Sequence, residues 1–165
     1  MKIATSYFAQ IRNFTRNMVP ISTACYDPKW FHNDCGRHFK FYDKRGIING
    51  LRCNNLAPGE RCNHLCKGVK NCDTGDPDTC EFLQKYWEQL DEIDCAAFER
   101  YCNTILDTYS EDTHIPKDDL ILVFLVFEKF DQPCSERKSL QRFFKKCGYE
   151  AEELKYPIAE NYKYE

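Results

Sequence analysis

The sequence predicts an α/β fold with a three-layer, mostly parallel Rossmann-like sheet, and three observations indicate it. A continuous apolar run, LILVFLVF at 120–127, is typical of a central strand covered on both faces. Apolar residues recur at spacings of three and four between 81 and 106, as in amphipathic helices. Strand-like and helix-like segments alternate, which favours parallel strands joined by crossovers. The length of 165 residues fits one domain, 1–165.

The N-terminal half predicts two strands followed by a long irregular segment. Residues 2–8 and 18–25 are rich in β-branched and aromatic residues, and the polar stretch between them suits a short helix or turn. After Cys25, Pro28 and several glycines indicate loop. Residues 52–80 show no sustained period of either kind, so we interpret them as a cysteine-rich insertion that something other than an apolar face must order.

The C-terminal half predicts helices on both sides of the apolar strand. Two helices, broken near 91–94, precede that strand. A third helix is expected over 135–147, with Gly148 as its C-terminal cap. Residues 150–156 suit a last strand. The ends of the second strand and of the apolar strand therefore meet at one edge of the sheet, where α/β folds place their sites.

Charge and hydropathy exclude some classes of protein. The formal net charge of -3 gives no general attraction to nucleic acid or to an anionic membrane. A nucleic-acid partner is left open, because a local patch could still bind one. The N-terminus has no signal-peptide core, and no apolar run is long enough to cross a bilayer. We therefore expect a soluble, cytoplasmic protein without membrane contact.

Eleven cysteines are the unusual feature of the composition. In an oxidising compartment they would pair, whereas in a reduced cytoplasm they serve as thiols, metal ligands or nucleophiles. An odd number cannot pair completely within one chain, so we favour metal or thiol chemistry. Cys95, Cys102 and Cys147 occupy apolar positions of the predicted helices, and we assign them to the core.

Five other cysteines fall in the insertion, spaced C-x8-C-x3-C-x5-C-x7-C from Cys53 onward. Tetrahedral zinc takes four thiolates, and a short pair such as Cys62 and Cys66 places two of them on one turn. We predict zinc ligands at Cys62, Cys66, Cys72 and Cys80. An iron–sulfur cluster uses the same thiolates, and spacing alone does not separate the two. The alternative is a loop of free or core cysteines, because buried cysteine behaves as a small hydrophobe.

Cys134 follows the apolar strand by one short loop and immediately precedes a predicted helix. The positive end of a helix dipole stabilises a thiolate, so we expect a lowered pKa and a catalytic Cys134. Arg137 is then a candidate to hold an anionic group, and Glu128 is the candidate base at the strand end. The alternative is a simple helix start, with Ser135 as the cap and Glu136 satisfying the dipole.

The loop after the second strand supplies candidate substrate-binding residues. Tyr26 and Trp30 could stack on a flat ring, and Lys29 could bind an anion. This loop and the Cys134 segment leave the same predicted edge of the sheet. A pocket between them is the predicted substrate site.

The chain resembles the "domain of unknown function 488" family in four places. These are an opening strand like KIATSYFAQI, a strand and loop like VPISTACYDPKWF, the element Leu56-Ala57-Pro58, and a strand-loop-helix like VFLVFEKFDQPCSERKSLQRFF. The resemblance spans most of the chain and implies a small α/β domain without a settled activity. It also implies that Cys134 and Glu128 occupy the family's cysteine and acidic positions.

Two departures from the family pattern affect the expected chemistry. Many members carry Arg where Cys25 stands, and Cys-His-Arg where this chain has Cys134-Ser135-Glu136. Arg137 substitutes for the missing Arg by a shift of one place. The cysteine-rich stretch looks like an insertion relative to typical members, so its metal role is a prediction from spacing alone.

The function predicted from these features is a metal-binding enzyme that acts on a nucleotide, nucleobase or other anionic small molecule. One alternative is a non-catalytic binding module for protein or nucleic acid, stabilised by the metal. Another is an iron–sulfur or thiol redox protein.

Overall fold

A computed structural model describes residues 1–33, 49–66, 68, 72, 76–130 and 132–154. Six strands form one sheet in the order β3-β4-β2-β5-β1-β6, and each pair of neighbours runs parallel. The strands are β1 Lys2–Tyr7, β2 Met18–Ser22, the two-residue β3 His32–Asn33, β4 Asn49–Arg52, β5 Ile121–Val126 and β6 Ala151–Glu153. The α-helices are α1 Glu81–Asp91, α2 Cys95–Thr113 and α3 Glu136–Lys146. The predicted parallel α/β fold is confirmed.

The apolar run at 120–127 forms the most buried strand, as its composition predicts. All six residues of β5 are buried, because β1 pairs with it on one side and β2 on the other. Residues on successive strand positions face opposite sides of the sheet. Leu122 and Phe124 therefore join one core cluster, and Val123 and Leu125 join another.

The two faces of the sheet are covered differently. Apolar residues of α1, α2 and α3 all pack in the larger cluster, with Phe82, Phe98 and Phe144 among them. On the other face a 3-10 helix, Phe8–Asn13, and Phe31 supply the cover found among the described residues. In that part of the chain the three α-helices form a single layer, so the expected third, helical layer is not seen there.

Helix boundaries agree with the sequence expectations because the capping residues are local signals. Asp94 accepts a hydrogen bond from the backbone N–H of Ala97 and so caps α2, which produces the predicted break between α1 and α2. Ser135 accepts a hydrogen bond from the N–H of Arg137 at the start of α3. Gly148 has a φ of 89° directly after α3, a conformation that favours glycine.

Two of the predicted strands were too long. β2 ends at Ser22 rather than at residue 25, and β6 covers only Ala151–Glu153 of the predicted 150–156. Residues 155–156 lie outside the described residues. The short strands β3 and β4 fall in a segment predicted as loop, since two and four residues are too few to show a period.

Cys95 and Cys147 form a disulfide that ties the start of α2 to the end of α3, with their Cα atoms 5.2 Å apart. Both residues are half-buried, and Cys147 packs against the larger core cluster, so their assignment to the core is confirmed only in part. Helical spacing placed each cysteine on an inward face but could not show that two helix ends meet. Cys102 is fully buried, which confirms its assignment to the core.

None of the helices in the described ranges is long and apolar enough to cross a membrane.

Candidate functional site

The carboxyl edge of the sheet is open where strand connections diverge. The chain leaves β1 toward the face covered by the 3-10 helix, and it leaves β5 toward the face covered by α3. Because β1 and β5 are neighbours, their carboxyl ends are the position where open α/β sheets bind ligands. The residues after β5 lie at this position.

Two carboxyl groups, Glu128 and Glu136, lie close enough to interact electrostatically. Glu136 is the first residue of α3 and only 7% exposed. One oxygen of each side chain, Oε2, is buried and has no hydrogen-bond partner among the described residues. A buried polar atom without a partner costs about 1–3 kcal/mol, and sites that bind ligands are one place where that cost is kept. The pair is therefore the first candidate for chemistry at this edge.

The surroundings of the two carboxyl groups differ, and the difference indicates which of the two is protonated. Burial, and then the charge of Glu128, raise the pKa of Glu136 well above its ordinary value. Burial also raises the pKa of Glu128, but backbone N–H groups and the cation of Arg137 act against that rise. Two carboxylates this close cannot both ionise cheaply. We assign the shared proton to Glu136 and the charge to Glu128.

Arg137 is fully engaged in holding the β5–α3 connection. Its side chain is 1% exposed, and its Nη1 and Nη2 atoms donate to the carbonyls of Glu128 and Lys129, the second at 2.7 Å. Nε donates to Glu153 at 3.3 Å, and the guanidinium lies 5.0 Å from the ring of Phe130. The predicted role of binding a substrate anion would require Arg137 to leave these partners. The contacts assign it instead to positioning Glu128.

Three free thiols lie close enough to Glu136 to interact with it electrostatically: Cys25, Cys62 and Cys66. Burial, and then the nearby carboxyl group of Glu136, raise the pKa of Cys25 to about 11. Cys62 is fully buried, and its thiol lies 3.6 Å from the carbonyl of Gly59. The raised pKa values keep these thiols neutral at neutral pH, so they are not thiolates.

Cys134 belongs to a second group of thiols, with Cys72 and Cys80. Burial, and then the charges of Cys72 and Cys80, raise the pKa of Cys134, and Asp76 adds to the rise. The expected lowering by the helix N-terminus is therefore wrong. Cys134 lies one residue before the cap Ser135, outside α3, and burial is the largest cause of the raised pKa. As an activated nucleophile Cys134 would need a cation that these neighbours do not supply.

The predicted metal ligands occur in both groups. Cys62 and Cys66 interact electrostatically with Glu136, and Cys72 and Cys80 interact with Cys134. Cys66 also interacts with Cys80, so it links the two groups. Within the part of the chain that the structure describes, no three Cys, His, Asp or Glu side chains are arranged to share a metal ion. Thiolates are the donor type that structural zinc takes. The zinc site at Cys62, Cys66, Cys72 and Cys80 remains a prediction.

The loop after β2 is held by an arginine that the sequence did not single out. Arg52 donates to the carboxylate of Asp27 at 2.9 Å and to the carbonyl of Cys25 at 3.0 Å. Ser22 donates to the same carboxylate. These bonds fix the start of the loop at the carboxyl edge. Tyr26 and Lys29 project from it into solvent, with Tyr26 78% exposed.

Trp30 forms part of an aromatic surface at the same edge. Its ring lies 6.2 Å from that of Phe8, which in turn lies 5.0 Å from Phe127. Trp30 and Phe127 are 49% and 52% exposed. Exposed aromatic rings on a buried aromatic base can stack on a flat ligand. The structure thus places Trp30 on the face of the sheet opposite the three α-helices.

Comparisons with protein-family models, with curated proteins and with solved structures found no match. The resemblance to the domain of unknown function 488 family accordingly stays a prediction. The sequence also gave no sign of Glu136 or Arg52 as site residues. A first-turn glutamate that is solvated and one that is buried against another carboxyl group look alike in sequence, because burial depends on what packs over the helix.

Proposed function

We propose that this chain is an enzyme that uses the Glu128–Glu136 pair for acid–base chemistry on a nucleotide, nucleobase or other small anionic molecule. The observation that supports it is the buried carboxyl pair, with one unpartnered oxygen on each side chain, at the diverging strand connections. Enzymes often separate the pKa values of two neighbouring acids in this way, so that one donates a proton and the other accepts one.

A protonated Glu136 suits an anionic substrate better than a carboxylate does. A neutral carboxyl group does not repel an anion and can donate a hydrogen bond or a proton to it. Glu128, with the cation of Arg137 nearby, is then the acceptor in the same step. In this proposal Trp30 and Tyr26 stack on the ring of the substrate, and Lys29 contacts its charge.

The proposal differs from the sequence prediction in the role of cysteine. Cys134 has a raised pKa and three acidic neighbours, Cys72, Cys80 and Asp76. It is therefore retained as a residue near the site and not as the nucleophile.

The predicted cytoplasmic location is part of the proposal. The Cys95–Cys147 disulfide is the feature that argues against a fully reduced chain.

A turnover assay with a matched pair of variants tests the proposal. Purified protein is incubated with a panel of nucleobases, ribonucleosides and their 5′-monophosphates, and consumption is followed by chromatography. Glu136→Gln should reduce turnover by about 10²–10⁴-fold, the usual contribution of an acid–base residue. Glu111→Gln, on the exposed surface of α2, should leave it unchanged. Full activity in Glu136→Gln would refute the proposed role.

A metal-stabilised binding module is the second candidate, favoured by the thiol group of Cys72, Cys80 and Cys134. Here Cys66 could join that group, because it interacts electrostatically with Cys80. In such a module zinc would organise the surface and Glu136 would have no role in turnover. Metal analysis of purified protein, with an absorption spectrum, separates zinc from an iron–sulfur cluster and from no metal.

A further inference from the structure

A cavity of about 310 Å³ lies between the segment that follows β4 and the first turns of α2. Its volume is at the lower end of the range of ligand pockets, which suits a molecule of one or two rings. Neither Glu128 nor Glu136 lines it, so it is separate from the carboxyl pair. The lining residues are Arg52, Cys53, Asn54, Asn55, Leu56, Ile93, Ala97, Phe98 and Tyr101.

The inner part of the cavity is apolar and rigid. Leu56 and Phe98 are buried in the main core cluster, and Ile93 and Tyr101 pack against it. Cys53 is also buried, and burial raises the pKa of its thiol, which keeps it neutral. Aromatic and aliphatic walls of this kind favour a flat apolar body over a flexible polar chain.

The outer part of the cavity carries a cation and two amides. Arg52 is held in place by hydrogen bonds to Asn54, at 2.8 Å, and to Asp27, at 2.9 Å. None of the described residues that line the cavity is acidic. Asp27 neutralises part of the charge of Arg52, but a guanidinium has five N–H donors and can bind a second carboxylate. A fixed arginine with two amides favours an anionic group at this end.

We infer that this cavity is a binding site for a small anion with a flat apolar body, such as an aromatic carboxylate. The ring lies between Phe98, Tyr101 and Ala97, and the carboxylate faces Arg52. This inference does not depend on the proposed acid–base site. A ligand here would contact the arginine that holds the Cys25–Asp27 turn, and so would touch the base of the predicted substrate loop.

The test uses benzoate as the probe, with amide chemical shifts of ¹⁵N-labelled protein as the readout. Benzoate should shift the amides of residues 52–56 and 97–101 with a Kd in the range of about 1–10 mM, as expected for so few atoms. Benzyl alcohol, with the same ring and no charge, should bind at least about tenfold more weakly.

Two phenylalanine substitutions on the first turn of α2 provide the matched controls. Ala97→Phe fills the cavity and should abolish the benzoate shifts, whereas Ala96→Phe, next to it but outside the lining, should leave the Kd unchanged. Both positions are exposed, so both variants should fold, and their spectra verify it. Equal binding by Ala97→Phe and wild type, equal binding of benzyl alcohol, or no shifts at about 50 mM benzoate, about fivefold above the top of the expected Kd range, would each overturn the inference.

Discussion

The β4–α1 and β5–α3 connections both lead from the carboxyl edge of the sheet to helices on one face, yet they are held differently. The β5–α3 connection, 127–135, is organised by one buried cation, because Arg137 binds two of its carbonyls. The β4–α1 connection, 53–80, is three times as long and rich in cysteine. Its first part is organised by neutral side chains of α1.

The contacts of α1 explain how the first part of the cysteine-rich segment folds. Gln89 donates to the carbonyl of Ala57 at 2.7 Å and accepts from the N–H of Gly59 at 2.7 Å. Tyr86 donates to the carbonyl of Leu56 at 2.5 Å. Residues 53–65 therefore have a protein scaffold of their own. These contacts do not need a metal. Of the predicted metal ligands, Cys62 lies in this part, and Cys66, Cys72 and Cys80 follow it.

The difference between the two connections teaches that a polar loop can be ordered from outside by a helix that comes later in the chain. Arg137 and Gln89 perform the same task with different groups. A buried cation makes stronger hydrogen bonds, but its removal leaves buried polar groups without a partner. Removal of a neutral amide lowers the free energy of unfolding by less. The expected effects of the substitutions below follow this order.

The largest effect is expected for Arg137→Met, which removes the cation and leaves two carbonyls and Glu153 without it. We expect a loss of about 3–5 kcal/mol in the free energy of unfolding, as for breaking a buried ion pair. Urea unfolding at neutral pH measures it. Lys138→Met, at the exposed neighbouring position, should change stability by less than about 0.5 kcal/mol. Similar stabilities for the two variants would show that Arg137 does not hold the connection.

A smaller loss, about 2 kcal/mol, is expected for Gln89→Ala, since it removes several hydrogen bonds to the β4–α1 connection. Gln84→Ala is the control on the same helix, with a single exposed bond to Asp78. Amide exchange at Gly59 and Cys62 should speed up in the Gln89 variant only. Treatment of wild type with a chelator should leave these two amides unchanged. If the chelator speeds up the exchange of these two amides and Gln89→Ala does not, a metal orders this part of the β4–α1 connection.

The smallest effect is expected for Glu136→Gln, and it depends on pH. Because the folded-state pKa of Glu136 is raised, the native state holds a proton that the unfolded state loses above about pH 4.3. Stability therefore falls as the pH rises from there toward the folded-state pKa. Glutamine removes that fall, so the variant should be more stable than wild type at pH 8 by about 1 kcal/mol.

The same comparison near pH 4 should show no difference, since Glu136 is then protonated in both states. Thermal unfolding across this range measures the effect, with Glu111→Gln as the exposed control. A variant that is less stable than wild type at pH 8 would mean that Glu136 is ionised and paired in the folded protein. That result would also remove the assigned proton from the proposed mechanism.

The sequence predicted those elements whose signals are local. The apolar run of β5, the spacing of the helices, the break near Asp94, and the caps Ser135 and Gly148 each depend on a few neighbouring residues. The short strands β3 and β4 carry no such signal, and they form only because β2 offers an edge to pair with.

The candidate site was predicted less completely, for reasons that concern distance along the chain. The sequence placed Glu128, Cys134 and Arg137 at the correct edge, because they follow a recognisable strand. It could not show that Arg137 turns back to the carbonyls of 128 and 129, or that Glu136 packs against Glu128. It also gave no sign that Cys72, Cys80 and Asp76 are electrostatic neighbours of Cys134.

By itself, then, the sequence determined the class of fold, the order of its main elements and the edge at which polar groups collect. These depend on periodicity, capping and the direction of strands. The tertiary structure decided which of those groups are charged, paired or neutral. Burial and long-range neighbours set that state, and both arise only when residues far apart in the chain are brought together.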